Sequence, residues 1–195
     1  MTVKLDGLTE QSINRANALM FDFDGTLVDT DYANYLAYKN AIQKLFQLDG
    51  IPYNPNERFN RIALKKVMPN LTKEEYEKVI QLKNELYAEH LHETKLNKSV
   101  AEILKKYSKT HKTVLVTNCR EDRAVATLKY HGLIDSFNHK FYQQIAANGN
   151  LVNKFQNALN SLQISPTSVI VFDNEKSEFN AAIFAGIPEE NIISI

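Results

Sequence analysis

The strongest constraint on this chain is an alternation of short apolar segments with helical patterns. Residues 18–23 (ALMFDF), 113–117 (TVLVT), 139–142 (HKFY) and 168–173 (SVIVFD) read as buried parallel strands, because each is brief, largely apolar and followed by polar or turn residues. A fifth segment, 191–195 (NIISI), can close the set. Helical patterns at 123–130, 154–162 and 178–185 separate the later strands, with Gly132 and Gly186 where helix ends favour a residue that tolerates positive φ. Strand, helix, strand in repetition predicts an α/β class fold with an open parallel sheet. Such sheets carry their chemistry in loops at the carboxyl ends of the strands.

Between about Asp31 and about Leu96 the alternation stops, and three helical segments replace it. Tyr32, Tyr35, Leu36, Ala41, Ile42, Leu45 and Phe46 set an apolar face for the first. Phe59, Ile62, Ala63, Val67 and Met68 set the second, which Pro69 ends. Thr72 and Glu75 form a capping box that opens the third, through Val79, Ile80, Lys83, Leu86, Tyr87 and Leu91. A second capping box, Ser99 to Glu102, is expected to start the helix that returns to the sheet. The expected division is therefore a core of residues 1–30 and 97–195 and an all-helical insertion of residues 31–96. An insertion there belongs above the strand ends, where a lid sits, with residues 28–31 and 95–97 as hinges.

The first strand runs into Asp22-Phe23-Asp24-Gly25-Thr26-Leu27-Val28-Asp29-Thr30. Residues i and i+2 of a strand project to the same side, so the carboxyls of Asp22 and Asp24 can converge at the strand end. Two carboxylates placed together repel unless a cation or a proton intervenes. Gly25 permits a sharp turn, and Thr26 offers a hydroxyl and an N–H to an anion. Hard oxygen ligands in this number suit Mg²⁺, which binds through one or two carboxylates plus substrate phosphate and keeps several waters.

This Asp-x-Asp-Gly-Thr-Leu-x-Asp run resembles the first motif of the haloacid dehalogenase-like (HAD) superfamily, whose members are mostly Mg²⁺-dependent phosphatases. The resemblance implies a Rossmann-like sheet with an inserted C1-type helical cap, as in phosphoglycolate phosphatase-like and β-phosphoglucomutase-like members. It makes Asp22 the nucleophile that forms an aspartyl-phosphate and Asp24 the general acid, then the base for water. An Asp at the second position also sets the chain apart from the dehalogenases, the phosphonate-cleaving members and the cation-pumping ATPases. Residues 114–118 look like the second motif, in which Thr117 would hydrogen-bond the transferring phosphoryl group and Asn118 would help orient it. Lys154, at the start of its helix, looks like the cation of the third motif, with Lys140 as the alternative. The Lys-Pro-x-Pro form of many capped members is absent.

Residues 168–178 look like the fourth motif. Asp173 would ligate the metal together with Asp22 and Asp24, and Glu178 takes the place of the second acid, with Glu175 as runner-up. Where that motif usually has Gly-Asp or Asp-Asp this chain has Asp173-Asn174, and a Glu as second acid favours contact through water. Gly25, Thr26, Asn118 and Arg120 make up the expected substrate-binding group. Arg120 and Arg123 could equally pair with Glu121 and Asp122.

Composition excludes other classes. Lys and Arg number 23 and Asp and Glu number 23, and the basic pairs Lys65-Lys66 and Lys105-Lys106 stand isolated. No basic stripe is present for a nucleic-acid backbone. The longest apolar runs have four residues, far short of the roughly 20 that cross a bilayer, and the first ten residues have no apolar core for export. A lone Cys119 fits a reducing cytoplasm. The expectation is a cytoplasmic Mg²⁺-dependent phosphatase of a small phosphorylated metabolite. One alternative is a sugar phosphomutase, which Thr26 disfavours because mutase relatives commonly carry another residue after the Gly. The other is a catalytically silent binding module, which the intact Asp22, Asp24 and Asp173 disfavour.

Overall fold

The structure is a computed structural model and describes Ile13 and residues 15–195. The expectations for the first ten residues and for part of the 1–30 segment lie outside the described residues. The chain divides into two compact units, one comprising the chain up to Val28 with Leu96–Ile195, the other Asp29–Lys95.

The first unit is built on a five-stranded sheet of β1 (Ala18–Phe21), β4 (Lys112–Val116), β5 (His139–Phe141), β6 (Val169–Asp173) and β7 (Ile192–Ser194), in the order β5-β4-β1-β6-β7. Every neighbouring pair is parallel. The central strands β1, β4 and β6 are buried on both faces, which is why their sequences are continuous rather than alternating, whereas the edge strands β5 and β7 are only partly buried. On one face Leu19, Phe21, Leu115 and Phe172 pack against Val100, Ala101, Leu104 and Tyr107 of α4 (Lys98–Tyr107) and Ala124 and Leu128 of α5 (Glu121–Tyr130). Phe21 and Phe172 stack with ring centroids 4.7 Å apart. On the other face Ala18, Met20, Val114, Val116, Val169 and Val171 meet Phe155, Ala158 and Leu159 of α6 (Lys154–Leu162) and Ala182 of α7 (Lys176–Phe184). Helices thus cover both faces, and burial of these side chains contributes on the order of 1.5–3 kcal/mol for each large one.

Several elements end elsewhere than their apolar patterns suggest. β1 stops at Phe21 rather than Phe23, because residues 23–28 turn back on themselves, with the N–H groups of Leu27 and Val28 both donating to Phe23 O. Ser99 does not cap α4. Asn97 does, its side chain accepting from Val100 N, so that the helix starts at Lys98 and Ser99 lies within it. α5 begins at Glu121 and α7 at Lys176, each two residues earlier than their apolar periodicity begins; in α5 the added residues are Glu121 and Asp122, which suit a first turn.

The second unit is helical: α1 (Asp31–Phe46), α2 (Arg61–Val67), α3 (Lys73–Leu86) and a 3₁₀ segment, Tyr87–Glu93. β2 (Val28–Asp29) and β3 (Lys95–Leu96) pair where the chain enters and leaves. Its core gathers Tyr35, Tyr38, Ile42, Phe59, Leu64, Val79, Ile80 and Leu86. Leu45 of α1 is exposed rather than inward. Ala33 and Ala37 are buried instead, packed against Tyr87, which widens the buried face beyond the expected one. Ile62 and Val67 of α2 are also exposed, and this short helix buries only Leu64. Both bonds of the Thr72 capping box form, Glu75 N donating to Thr72 Oγ1 at 3.2 Å and Thr72 N to Glu75 Oε2 at 2.9 Å. Thr72→Ala is expected to cost about 1 kcal/mol in urea denaturation, and no measurable change would contradict the cap. Among the described residues no helix is long and apolar enough to cross a membrane.

Candidate active site

Three adjacent strands deliver the candidate residues. β1 lies between β4 and β6, and Phe21 pairs in register with Leu115 on one side and Phe172 on the other. Asp22 and Asp173 are each the next residue along, so both carboxyls emerge at one level of the sheet edge. Thr117 follows β4 directly and is buried.

Lys154 is the hub. Its Nζ donates to Asp22 Oδ1 at 2.7 Å and to Asp173 Oδ2 at 2.9 Å, and lies 3.2 Å from Glu178 Oε2. The side chains of Lys154 and Asp173 are 3% and 0% exposed, so these are buried ion pairs and not surface ones. Asn153 sets the ammonium in place: its side chain accepts from Phe155 N and Gln156 N to cap α6, and its Nδ2 donates to Ala181 O on α7 at 2.8 Å. The remaining oxygens of the cluster are engaged as well. Asp173 Oδ1 accepts from Glu175 N at 2.9 Å, and Glu178 Oε1 accepts from Asn118 Nδ2 at 3.3 Å. The Thr26 hydroxyl lies 2.9 Å from Asn174 Oδ1 and 3.3 Å from Asp22 Oδ2, so the nearer Asn174 takes the larger share of its proton. Gly25 has φ 85°, and a Cβ there would lie 2.6 Å from Asn174 Nδ2. Both the backbone conformation and the approach of this amide therefore require glycine.

Electrostatics follow from this packing. Burial pulls the Lys154 ammonium down, but Asp22, Asp173 and Glu178 together outweigh it and hold the group charged well above the ordinary lysine range. Burial pushes the Asp22 carboxyl up from 3.8 to about 7 against the pull of Lys154, with Asp173 and Asp24 adding to the rise. The cluster thus holds more negative charge than it neutralises. Free of metal, native Asp22 keeps its proton up to about 7 while the unfolded chain releases it near 3.8, so stability falls as pH rises across that window. Chelator-treated protein is expected to denature more readily at about pH 8 than at about pH 5. Asp22→Asn should remove most of the difference; an unchanged difference in that variant would contradict the assignment.

The geometry brings Asp22, Thr26, Asn118, Lys154, Asp173 and Glu178 into one bonded network. It leaves Arg120 elsewhere: its guanidinium makes two hydrogen bonds to Asp122, Nε to Oδ1 at 3.1 Å and Nη2 to Oδ2 at 2.8 Å, with both side chains more than half exposed. Lys140 donates to Phe137 O at 3.2 Å and does not join the acids. Glu175 meets Asp173 through its backbone N–H. Asp24 is paired with Arg123, whose Nη2 donates to Asp24 Oδ2. Sequence reasoning missed this pairing, the Asn153 cap and Asn174. Only Asn153 had a local signal, an Asn directly before an apolar helical pattern.

Among the described residues no group of three or more His, Cys, Asp or Glu is arranged as a metal cage. The donor set nevertheless suits a hard divalent cation bound partly by substrate and water. The Asp22 and Asp173 oxygens converge within hydrogen-bonding range of a single ammonium, and the under-neutralised charge favours a second positive centre beside it.

The family model described as haloacid dehalogenase-like hydrolase matches residues 19–189. Among solved structures, a putative β-phosphoglucomutase from Thermotoga maritima is 25% identical with a TM-score of 0.65, covering 90% of this chain and 83% of that one. CbbY from Rhodobacter sphaeroides in complex with phosphate is 16% identical with a TM-score of 0.73, covering 88% and 84%. A haloacid dehalogenase-like family hydrolase from Streptococcus pneumoniae is 19% identical with a TM-score of 0.70, covering 89% and 83%. The last two likenesses carry the fold alone. No curated protein sequence matches the chain.

Proposed function

Because the chain belongs to the haloacid dehalogenase-like hydrolase family, we propose that it is a Mg²⁺-dependent phosphatase that hydrolyses small phosphorylated metabolites through a phosphoryl group carried on Asp22. The observation that carries this reading is the convergence of Asp22, Asp173 and Lys154 at the carboxyl ends of adjacent parallel strands. Open α/β sheets place their ligands there.

Asp22 attacks phosphorus with one carboxylate oxygen while Lys154 holds the group in line through Oδ1. The bond from phosphorus to the leaving oxygen breaks as that oxygen takes a proton from Asp24. Water then attacks the phosphorus, gives its proton to Asp24, and frees Asp22 and inorganic phosphate. Thr117 and Asn118 donate to the equatorial oxygens, and Thr26 presents its N–H beside them, while the Gly25 N–H donates to Val28 O and shapes the turn. A divalent cation held by Asp22 and Asp173, with Glu178 acting through water, would supply positive charge to the transferring phosphoryl group. Residues 31–96 act as the cap that selects a small substrate, and residues 1–30 and 97–195 form the catalytic core. The lone, buried Cys119 fits a cytoplasmic enzyme.

The test is a screen for phosphate release from sugar phosphates, nucleotides and two- or three-carbon phospho-acids, with Mg²⁺ and with Asp22→Asn as control. Turnover that depends on Mg²⁺ and on Asp22 supports the reading, and its absence from every ester refutes it. The similarity to a putative β-phosphoglucomutase favours a second reading, transfer to a sugar hydroxyl in place of water. Interconversion of sugar phosphates with no free phosphate would select it.

A further inference from the structure

Two arginines stand at the start of α5, and their settings differ. Arg120 pairs with Asp122 in solvent, the two side chains being 52% and 57% exposed. Arg123 pairs with Asp24, 15% and 11% exposed. A pair of the first kind contributes little, whereas a shielded one holds its members in place. The Arg123 side chain is itself tethered, its Nε donating to Cys119 Sγ at 2.9 Å while Nη2 donates to Asp24 Oδ2. Cys119 is buried, and its N–H donates to Thr117 Oγ1 at 3.0 Å. One guanidinium therefore links the loop after β4 to the turn after β1, at the edge where these strands lie side by side. A carboxyl that must give a proton to one oxygen and later take one from water gains most from such fixing, because small misplacements are costly in transfer steps.

We propose that Arg123 is the positioning residue for Asp24: it holds the carboxyl by Oδ2 in the orientation that reaches the leaving oxygen, and it does not itself contact substrate. This rests on the phosphatase reading above. Its consequence is selective. In the step that expels the leaving group, an ester that needs protonation depends on where Asp24 points and one whose leaving group departs as a stable anion does not, whereas the later attack of water depends on Asp24 for both.

The experiment compares phenyl phosphate with 2,4-dinitrophenyl phosphate, using the full chain with Mg²⁺, as wild type, Arg123→Ala, Arg123→Lys, Asp24→Asn and Asp22→Asn. Arg123→Ala is expected to lower kcat/KM, which reports the steps up to release of the leaving group, roughly ten- to hundredfold on phenyl phosphate and less than about threefold on the dinitrophenyl ester. Asp24→Asn should show the same selectivity more strongly, and Arg123→Lys should restore part of the loss. Equal losses of kcat/KM on both esters, or no loss while Asp24→Asn stays selective, would each overturn the proposal. Were Arg123→Ala not to fold, the same selectivity in Arg123→Lys would carry the proposal and its absence would overturn it. Activity that survives Asp22→Asn would instead refute the phosphatase reading, so the two failures are distinguishable.

Discussion

Asp22→Asn is expected to reduce phosphate release by at least about a thousandfold while leaving the protein folded and, above neutral pH, at least as stable as wild type. The two effects have one cause. An amide cannot accept the phosphoryl group, so the chemistry stops. The same change removes a buried negative charge that its surroundings already push up to about 7, and Lys154 keeps Asp173 and Glu178 as partners. Residues arranged for reaction are often poor choices for stability. Phosphate assays and urea denaturation on the same preparations would separate this result from simple unfolding. A variant that is inactive because it has lost its fold would contradict the account.

Lys154→Met is expected to act in the opposite sense on stability, with a loss of about 3–5 kcal/mol at neutral pH. Methionine fills much of the volume, but Asp22, Asp173 and Glu178 lose the ammonium that lies within 3.2 Å of each. The deficit should shrink on acidification. Carboxyls deprived of their cation bind protons more readily in the native state than in the unfolded one, so stability falls as pH rises and recovers as it drops. Adding Asp22→Asn to Lys154→Met should return part of the loss, since the two side chains share a bond and their effects are not additive. A change of less than about 1 kcal/mol in Lys154→Met would place the lysine among ordinary solvated pairs.

Much of the site could be read from the sequence because it is built from strand ends. Each apolar run points its last residues at the same sheet edge, so finding the strands also found Asp22, Thr117 and Asp173. Lys154 was legible as the first residue of a helix, and the structure puts it among the acids. What stayed hidden is which long side chain reaches which partner. Nothing in spacing distinguishes Arg123, which crosses to Asp24 99 positions away, from Arg120, which folds back on Asp122. Asn174 was invisible for a related reason: its contact with Gly25 depends on how two turns approach, and no local pattern records that. In the helical unit, periodicity identified the helices but misjudged faces, because small Ala33 and Ala37 bury fully where larger residues were expected to lead.

The central claim is that the phosphoryl group rests on Asp22, and it is tested most directly by trapping. Acid quenching during turnover, followed by mass spectrometry of the digested protein, is expected to find covalent phosphate on the peptide containing Asp22, and none on Asp22→Asn. Turnover with phosphate on another residue, or with no covalent phosphate at any quench time and full activity in Asp22→Asn, would contradict the account.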